Sequence, residues 1–583
     1  MKLKQGNIRM SKKVAELLVE TLAAAGVQRI YGLSGDSLNG ITDSIRAQKK
    51  IQWIHVRHEE TAAFAAGAEA HLTGNLAVCA GSCGPGNLHL INGLYDCQRS
   101  RVPVLAIAAQ IPSAEIGSNY FQETHPDYLF GQCSHYCEVV SHPEQMPRVL
   151  EIAIQTALAC RGVSVVTIPG DVALESAQID SPRLHFPPPK PKVSPSDDEL
   201  ASLAKVLHSS RKITILGGAG CAGAHAELVA LAGKLNAPVV HALRGKEFIE
   251  YDNPFDVGMT GLLGFSSGYH AMMNCDLLLM LGTDFPYRQF LPSDATIVQI
   301  DLRGEQLGRR TKVDYGFVGD IKTTLQSLLP RLEQNQHPQH LKECVEHYKN
   351  TRHELDDLAV PSRQGEPIHP QYVVRMLNEL AADDAIFTCD VGTPTIWAGR
   401  YLSMNGRRRL LGSFNHGSMA NALPQAIGAQ ASHAGRQVIS LSGDGGLSML
   451  MGDILSLRQL QTPVKIVLFK NNSLAFVELE MKAAGIIDFG TDLQNPDFAK
   501  MADAVGILGL TASTPEEVKP MLAQALQHDG PALVEVPVSR QELSMPPTIT
   551  LEQMKGFSLF ALKAVLGGYG DEIVDLAKVN LLR

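Results

Sequence analysis

The residues best suited to metal and phosphate chemistry lie in one stretch, residues 438–476. An apolar run there ends in a Gly-Asp-Gly-Gly turn that contains Asp444, and its glycines allow a ligand to approach the backbone closely. A second apolar run ends at Asn471 and Asn472. Carboxylate and amide oxygens are hard donors that suit an octahedral Mg²⁺, so this stretch predicts a metal that bridges a diphosphate.

A βαβ unit must position these side chains. Val438 to Leu441 and Val464 to Phe469 are apolar runs of strand length, and the residues between them have apolar positions at helical spacing. Both strands of a parallel crossover end at the same edge of the sheet, so we expect Asp444 and Asn471 to lie close together. The alternative is an ordinary crossover with a glycine turn and a polar loop.

This pattern resembles the motif with which the thiamine diphosphate-dependent decarboxylase and oxidase superfamily binds its cofactor and Mg²⁺. The resemblance implies that the metal takes the side chains of Asp444 and Asn471 and the carbonyl oxygen of Ser473. Two positions depart from the usual pattern, with Lys470 in place of asparagine and Ala475 in place of glycine. The resemblance implies that further residues contact thiamine diphosphate: Val391, Gly417, Ser418, Met419, Gly445, Gly446, Asn472, Leu474, Ala475, Phe476 and Val477.

Glu59 is a second candidate for chemistry, at the point where a strand runs through Arg-His-Glu-Glu into an alanine-rich helix. A glutamate at this position could simply stabilise a helix N-terminus. The segment, however, resembles the one that carries the superfamily's cofactor-activating glutamate. In that resemblance Glu59 hydrogen-bonds the pyrimidine ring of thiamine diphosphate and favours the imino tautomer whose exocyclic nitrogen removes the thiazolium C2 proton.

Three more residues are assigned to the reaction by resemblance. Phe121 and Gln122 follow the strand Val104 to Ala109, and the resemblance implies that they face the substrate and a neighbouring flavin. Phe476 matches a phenylalanine that moves into the active site of membrane-associated pyruvate oxidases on activation. For both phenylalanines, packing against the protein core remains the alternative.

A middle domain with a nucleotide-type motif follows a proline-rich connector at residues 182–195. The strand Ile213 to Leu216 leads into a G-x-G-x-x-G match and a helix, which is the context of a dinucleotide site. The acidic residue expected about 20 positions later is missing, which argues against NAD. An empty structural domain is the alternative. Resemblance to the pyruvate oxidase branch implies FAD, contacted by Thr260, Gly261, Leu262, Leu263, Thr283, Asp284, Phe285, Pro286, Tyr287 and Asp301.

Length and composition predict a multidomain α/β protein. A chain of 583 residues is too long to fold around one hydrophobic core, and 45% hydrophobic and 19% charged side chains are typical of a globular protein. We predict three doubly wound parallel-sheet domains: pyrimidine-binding at 10–182, FAD-binding and Rossmann-like at 195–345, and diphosphate- and Mg²⁺-binding at 365–540. The first and third share a rhythm of short strands and glycine turns, which predicts a duplicated architecture. The net charge of −9 argues against nucleic-acid binding, and the ten scattered cysteines predict free thiols.

The tail, residues 541–583, contains two short amphipathic segments separated by glycines. Such segments dock on the protein body or lie in a membrane interface. The resemblance implies an amphipathic, lipid-binding, autoinhibitory tail. The first segment has the apolar face Phe557, Phe560, Ala561, Ala564 and Val565, and the second has Ile573, Leu576, Ala577 and Leu581.

The activity that the resemblance implies is oxidation of pyruvate to acetate and CO₂, with electrons passing through FAD to ubiquinone. It also implies a homotetramer, with thiamine between the first domain of one subunit and the third domain of another. The protein is expected in the cytoplasm, peripheral on the inner face of the cell membrane. Open alternatives are a phosphate- and O₂-dependent pyruvate oxidase that makes acetyl phosphate, an acetolactate synthase, and a catalytically silent thiamine-binding protein.

Overall fold

The computed structural model describes residues 12–177, 191–363, 365–542 and 551–567, together with residues 576 and 580. These residues form three α/β domains, each built on a six-stranded parallel sheet, and a C-terminal helix. The predicted fold class is therefore confirmed. Residues 182–190 of the proline-rich connector and most of the second amphipathic segment of the tail lie outside the described residues.

The first domain has apolar side chains on both faces of its sheet. Its strands are β1 (Arg29–Gly32), β2 (Gln52–His55), β3 (Ala77–Gly81), β4 (Val104–Gln110), β5 (Tyr136–Val139) and β6 (Val163–Pro169). Its helices are α1 (Val14–Ala24), α2 (Asn39–Gln48), α3 (Glu59–Thr73), α4 (Pro85–Ser100), α5 (Pro126–Leu129), α6 (Met146–Cys160) and α7 (Gly170–Leu174). The strand order is β2-β1-β3-β4-β6-β5. Alternate residues of β4 enter different cores on the two faces, as in a sheet covered on both sides.

The second domain has the strand order of a dinucleotide-binding sheet. Its strands are β7 (Ile213–Gly217), β8 (Val239–His241), β9 (Asp256–Met259), β10 (Leu277–Leu281), β11 (Thr296–Asp301) and β12 (Tyr315–Val318), in the order β12-β11-β10-β7-β8-β9. Its helices are α8 (Asp197–Ser209), α9 (His225–Leu235), α10 (Lys246–Ile249), α11 (Ser266–Met273), α12 (Ile321–Leu328) and α13 (Gln339–Leu358). The boundary predicted at residue 345 falls inside α13, which packs against α11 and β9 and so belongs to this domain.

The third domain repeats the strand order of the first, position for position, which confirms the predicted duplication. Its strands are β13 (Ile386–Cys389), β14 (Arg409–Gly412), β15 (Val438–Gly443), β16 (Lys465–Lys470), β17 (Leu508–Thr511) and β18 (Ala532–Pro537), in the order β14-β13-β15-β16-β18-β17. Its helices are α14 (Pro370–Leu380), α15 (Thr393–Tyr401), α16 (Ala422–Ser432), α17 (Asp444–Met449), α18 (Ile454–Leu460), α19 (Ala475–Ala483), α20 (Phe498–Ala504) and α21 (Pro515–Gln527).

Small residues bring the first and third domains together. The alanine-rich helix α3 packs against α16, and a Cβ on Gly428 would lie only 2.1 Å from the carbonyl oxygen of Ala65. Only glycine permits this approach of two backbones. The two domains consequently share one apolar core.

Glu247 joins all three domains through buried polar contacts. Its carboxylate accepts hydrogen bonds from Arg409 Nε at 2.8 Å and from the backbone of Leu410 at 3.0 Å, and it lies 3.5 Å from His71 Nε2. Burial alone would raise its pKa, but the hydrogen bond with His71 and the ion pair with Arg409 lower the pKa of Glu247 to about 2.

The tail helix α22 (Leu551–Gly567) docks on α19 of the third domain. Phe560 and Ala564 are buried there, and Lys563 Nζ donates to the carbonyl oxygen of Gly485 at 2.7 Å. Of the residues predicted on the first apolar face, Phe557 and Ala561 are half-buried, and the side chain of Val565 is outside the description. None of the described helices is long and apolar enough to cross a bilayer.

Candidate active site

Asp444 lies at the end of β15, where the sequence predicts a glycine turn. The structure instead begins helix α17 at Asp444 itself, so the chain passes from strand to helix without an intervening loop. The predicted single helix is also interrupted after Leu450, because α17 and α18 are separated by a 3₁₀ turn. Asp444 is thus held at the edge where β15 and β16 end, beside the loop that carries Asn471.

The Asp444 carboxylate is buried and oriented by hydrogen bonds. Its Oδ2 accepts from the backbone of Asn472 at 2.6 Å and from Asn495 Nδ2 at 2.8 Å, while Oδ1 accepts from the backbone of Gly445. Burial raises the pKa of Asp444, and the backbone donors partly offset this. The expected proximity of Asp444 to the Asn471 loop is therefore present.

Asn471 and Ser473 complete a set of oxygen donors of the kind that Mg²⁺ prefers. Asn471 Oδ1 accepts from the backbone of Ser473 at 3.0 Å, and the Ser473 hydroxyl donates to Glu478 at 2.6 Å. These bonds fix the turn in which Asn472 has a φ of 57°. A carboxylate, an amide and a carbonyl oxygen fit Mg²⁺ chemically, with Asn495 and Glu478 orienting the donors.

The two departures from the family pattern have a local structural account. Lys470 points away from Asn471 and lies with Nζ 2.7 Å from Glu535 Oε1 on β18. Ala475 is the first residue of α19, a conformation that alanine adopts readily. Neither residue disturbs the Asp444 donor set.

The two glycines after Asp444 pack closely against neighbouring segments of the third domain. A Cβ on Gly445 would meet Leu474 at 2.8 Å and Met419 at 3.2 Å. A Cβ on Gly446 would lie 2.3 Å from Asp390 Oδ2, which is buried without a hydrogen-bond partner. Burial raises the pKa of Asp390 to about 7. These close approaches require glycine at both positions.

Glu59 belongs to a second cluster, in the first domain. It begins helix α3, is 5% exposed, and its Oε2 lies 2.9 Å from His89 Nδ1. Its Oε1 faces Gly86, where a Cβ would approach to 3.0 Å. Among the described residues, no hydrogen bond or ion pair links Glu59 with Asp444, Asn471 or Ser473.

Phe121 and Gln122 differ in their surroundings. Gln122, with a φ of 61°, packs on Gly84 and accepts a weak hydrogen bond from Cys83 Sγ at 3.4 Å, in the same glycine-rich turn that faces Glu59. Phe121 is 77% exposed. Core packing, the alternative for Phe121, is therefore wrong within this chain, and its ring is free to contact a ligand or another subunit.

A cleft of about 470 Å³ lies between the middle domain and its neighbours. It opens at the carboxyl ends of the strands in the middle sheet, where open α/β sheets bind ligands. Gly218 and Gly220 of the G-x-G-x-x-G match line it. All ten residues assigned to FAD line it as well: Thr260, Gly261, Leu262, Leu263, Thr283, Asp284, Phe285, Pro286, Tyr287 and Asp301.

The same cleft reaches the residues assigned to thiamine diphosphate. Val391, Gly417 and Phe476 line it, and Glu480 follows Phe476 by one helical turn on α19. The cleft therefore joins the predicted flavin segments to the predicted thiamine loop. Other residues of that set do not line the cleft: Ser418, Asn472 and Leu474 lie on the two adjoining loops, and Val477 lies on α19.

Sequence reasoning missed several residues of these sites. Asn495 lies 51 positions from the carboxylate that it contacts, and no local pattern indicates the pairing. Arg101 pairs with Asp284 at 2.8 Å across two domains, and Arg161 and Arg303 also line the cleft. Of the missed residues, Glu480 alone had a signal in the sequence. Its i, i+4 spacing from Phe476 places both side chains on one face of a helix.

Comparisons with known proteins agree with this arrangement. Three family descriptions match the chain: "Thiamine pyrophosphate enzyme, N-terminal TPP binding domain" at residues 12–129, the central domain at 200–328, and the C-terminal TPP binding domain at 390–536. A putative thiamine pyrophosphate-containing protein, YdaP of Bacillus subtilis, is 36% identical over 97% of this chain and 98% of its own length.

Two further relatives have more specific names. A pyruvate oxidase of Lactiplantibacillus plantarum is 30% identical over 92% of this chain and 89% of its own length. An acetolactate synthase of Mycobacterium bovis is 29% identical over 89% of this chain and 87% of its own length.

Proposed function

The chain belongs to the thiamine pyrophosphate enzyme family, and from this premise we propose that it oxidises pyruvate to acetate and CO₂ and passes the electrons through FAD to ubiquinone. One observation carries the proposal: the ten residues assigned to FAD line the same cleft as Val391, Gly417 and Phe476 of the thiamine set. A flavin held by these residues would lie next to the thiamine loop, which supports a role as electron acceptor. The relative named pyruvate oxidase supports the same substrate.

The chain supplies orientation and proton control for this chemistry. Asp444, Asn471 and Ser473 would hold Mg²⁺ and the diphosphate, and thiamine diphosphate when bound supplies a nucleophilic carbon and an electron sink for decarboxylation. Glu59 is 5% exposed and hydrogen-bonded to His89, and it would hydrogen-bond the pyrimidine ring. Arg161 and Arg303 line the flavin cleft and would offer guanidinium groups to phosphate oxygens, while Arg101 is paired with Asp284.

Subunit pairing completes the proposed site. Glu59 and Asp444 belong to separate clusters within one chain, so the cofactor bridges the first domain of one subunit and the third domain of another. The exposed ring of Phe121 beside the Glu59 cluster supports this arrangement, because a second subunit would cover it. A homotetramer is the assembly that we propose.

The tail connects the site to a membrane in this proposal. Helix α22 docks on α19, the helix that carries Phe476, and it exposes Met554, Leu559 and Leu562. Release of α22 would uncover Phe560 and Ala564 for insertion into lipid, and it would free α19 to move. The protein would then act at the inner face of the cell membrane, where ubiquinone is dissolved.

Anaerobic flavin bleaching tests the proposal. Pyruvate should bleach the flavin absorbance only with thiamine diphosphate and Mg²⁺ present, and ubiquinone with lipid vesicles should restore it. Phosphate-dependent turnover with peroxide would identify an acetyl phosphate-forming oxidase instead. Consumption of two pyruvates without an acceptor would identify an acetolactate synthase, and a bound cofactor with no bleaching would identify a silent binding protein.

A further inference from the structure

Two histidines flank the Glu59 carboxylate. His58 precedes helix α3 and His89 lies on α4, and their rings stack with centroids 4.2 Å apart and planes 24° apart. One donor atom from each of His58, Glu59 and His89 lies within 4.8 Å of the other two. The three side chains therefore form a compact set of two imidazoles and one carboxylate.

The hydrogen bonds leave this set able to coordinate an ion. His58 Nδ1 accepts from the backbone of Glu60 at 3.2 Å, which fixes the ring and leaves Nε2 for a ligand. The His89 side chain is 44% exposed, so an ion can enter from solvent, and the Glu59 side chain is 7% exposed. An ion bound here would replace the hydrogen bond between His89 Nδ1 and Glu59 Oε2.

The types of donor atom determine which metal ions suit this site. Two nitrogens and one carboxylate oxygen suit Zn²⁺ and its transition-metal neighbours, whereas the oxygen donors around Asp444 suit Mg²⁺. Ligands on a tetrahedral Zn²⁺ lie about 3.3 Å apart, so an ion would draw together the three donors, which lie within 4.8 Å of one another in its absence. Three protein ligands leave a fourth position for water.

We propose that His58, Glu59 and His89 form an inhibitory transition-metal site that competes with thiamine diphosphate for the Glu59 carboxylate. A carboxylate coordinated to Zn²⁺ cannot hydrogen-bond the pyrimidine ring, so metal binding and cofactor activation exclude each other. The competition rests on the proposed role of Glu59, whereas the metal site itself rests on the geometry of the three side chains.

Co²⁺ binding to the full-length protein without cofactors tests the site. Co²⁺ at a four-coordinate nitrogen and oxygen site absorbs strongly in the visible region, whereas an octahedral site of oxygens at Asp444 gives only weak bands. We expect a strong band that saturates at one Co²⁺ per chain. We also expect His58→Asn and His89→Asn each to weaken Co²⁺ binding by more than about tenfold.

His142→Asn is the matched control. His142 also accepts a backbone hydrogen bond at a helix start, from Glu144 at 3.3 Å. It is exposed, however, and it does not belong to a group of three possible metal ligands among the described residues. Its loss should leave the band unchanged. Absence of the strong band, or equal weakening by His142→Asn, would overturn the proposal.

Competition is measured on the same band. Adding thiamine diphosphate and Mg²⁺ should abolish the cobalt band, and a band that persists with cofactor bound would overturn the inhibitory role. This measurement uses no pyruvate and does not depend on flavin reduction. A protein that binds Co²⁺ as expected but shows no bleaching by pyruvate would thus refute the proposed function and leave the metal site standing.

Discussion

Lys470 Nζ lies 2.7 Å from Glu535 Oε1 and 2.9 Å from the carbonyl oxygen of Pro496, so the lysine joins the end of β16 to β18. Glu535 also accepts from the backbone of Phe498 at 2.7 Å. The residue that departs most from the family's metal motif is thus part of a largely buried ion pair next to the metal loop.

We predict that Lys470→Met lowers the free energy of unfolding by about 3 kcal/mol, because it leaves the buried Glu535 carboxylate without its cation. Mg²⁺ and thiamine diphosphate should still bind, since Lys470 contacts neither Asp444 nor Asn471. Denaturant unfolding and calorimetric titration measure the two effects. Lys500→Met is the control, because Lys500 pairs with Asp497 while 85% exposed, and its loss should leave the free energy of unfolding nearly unchanged.

Glu59→Gln should slow flavin reduction by pyruvate by about 10²-fold or more, because glutamine cannot exchange the proton that a general acid-base group supplies. FAD should stay bound, since Glu59 does not line the flavin cleft. Stopped-flow absorbance under anaerobic conditions measures the rate. The neighbouring variant Glu60→Gln should keep most of the rate, and near-normal reduction in Glu59→Gln would remove Glu59 from its assigned role.

The buried carboxyl group of Asp256 should make the folded protein less stable as the pH rises. It lies 3.6 Å from His241 in the middle domain, and burial raises the pKa of Asp256 to about 8. A carboxyl group with a raised pKa binds its proton more tightly in the folded state, so stability falls as pH rises from about 4 to about 8. Asp256→Asn should remove this decline in a series of thermal melts.

Below about pH 4, where Asp256 is protonated in both the folded and the unfolded protein, the pH dependence of stability should be the same in this variant and in the wild-type protein. Burial lowers the pKa of His241 to about 3, so the folded state disfavours its proton and loses stability as pH falls from about 6.5 towards 3. Equal pH dependence of the wild-type protein and Asp256→Asn above pH 6 would contradict the assignment.

Deletion of the chain from Phe557 onward should abolish association with lipid vesicles in the presence of pyruvate and thiamine diphosphate, because it removes the apolar face that contains Phe560 and Ala564. Co-sedimentation with vesicles measures the association. Lys563→Met, which breaks only the docking contact with Gly485, should instead increase binding. Persistent association of the truncated protein would refute the lipid-binding role of the tail.

Much of the fold follows from local patterns in the sequence. Short apolar runs that end in glycine or polar turns predicted three parallel sheets, and the crossover rule placed Asp444 beside the Asn471 loop. The break after Leu450 escaped prediction because the apolar spacing continues through it, while residues 451–453 tighten to bring Asp453 onto Thr61 at 2.7 Å. That contact joins residues 392 positions apart, and no local periodicity encodes it.

The candidate site likewise contains some residues that the sequence predicts and others that it does not. The Asp444 donor set was accessible from the motif, whereas Asn495 and Arg101 act through contacts between distant segments. The sequence showed Lys470 only as a departure from the family's metal motif. Its partner Glu535 lies on a strand that pairs with β16. Side chains that complete a site across domains are determined by tertiary packing, and this packing lies outside the reach of sequence periodicity.

The central claim is that Asp444 anchors Mg²⁺ and a thiamine diphosphate between two subunits, and an experimental structure of the protein grown with both tests it most directly. The account predicts a metal about 2.0–2.1 Å from the Asp444 carboxylate, the Asn471 amide oxygen and the Ser473 carbonyl oxygen. It also predicts the pyrimidine ring against Glu59 of a second subunit. A cofactor bound elsewhere, or a metal without Asp444 as a ligand, would contradict it.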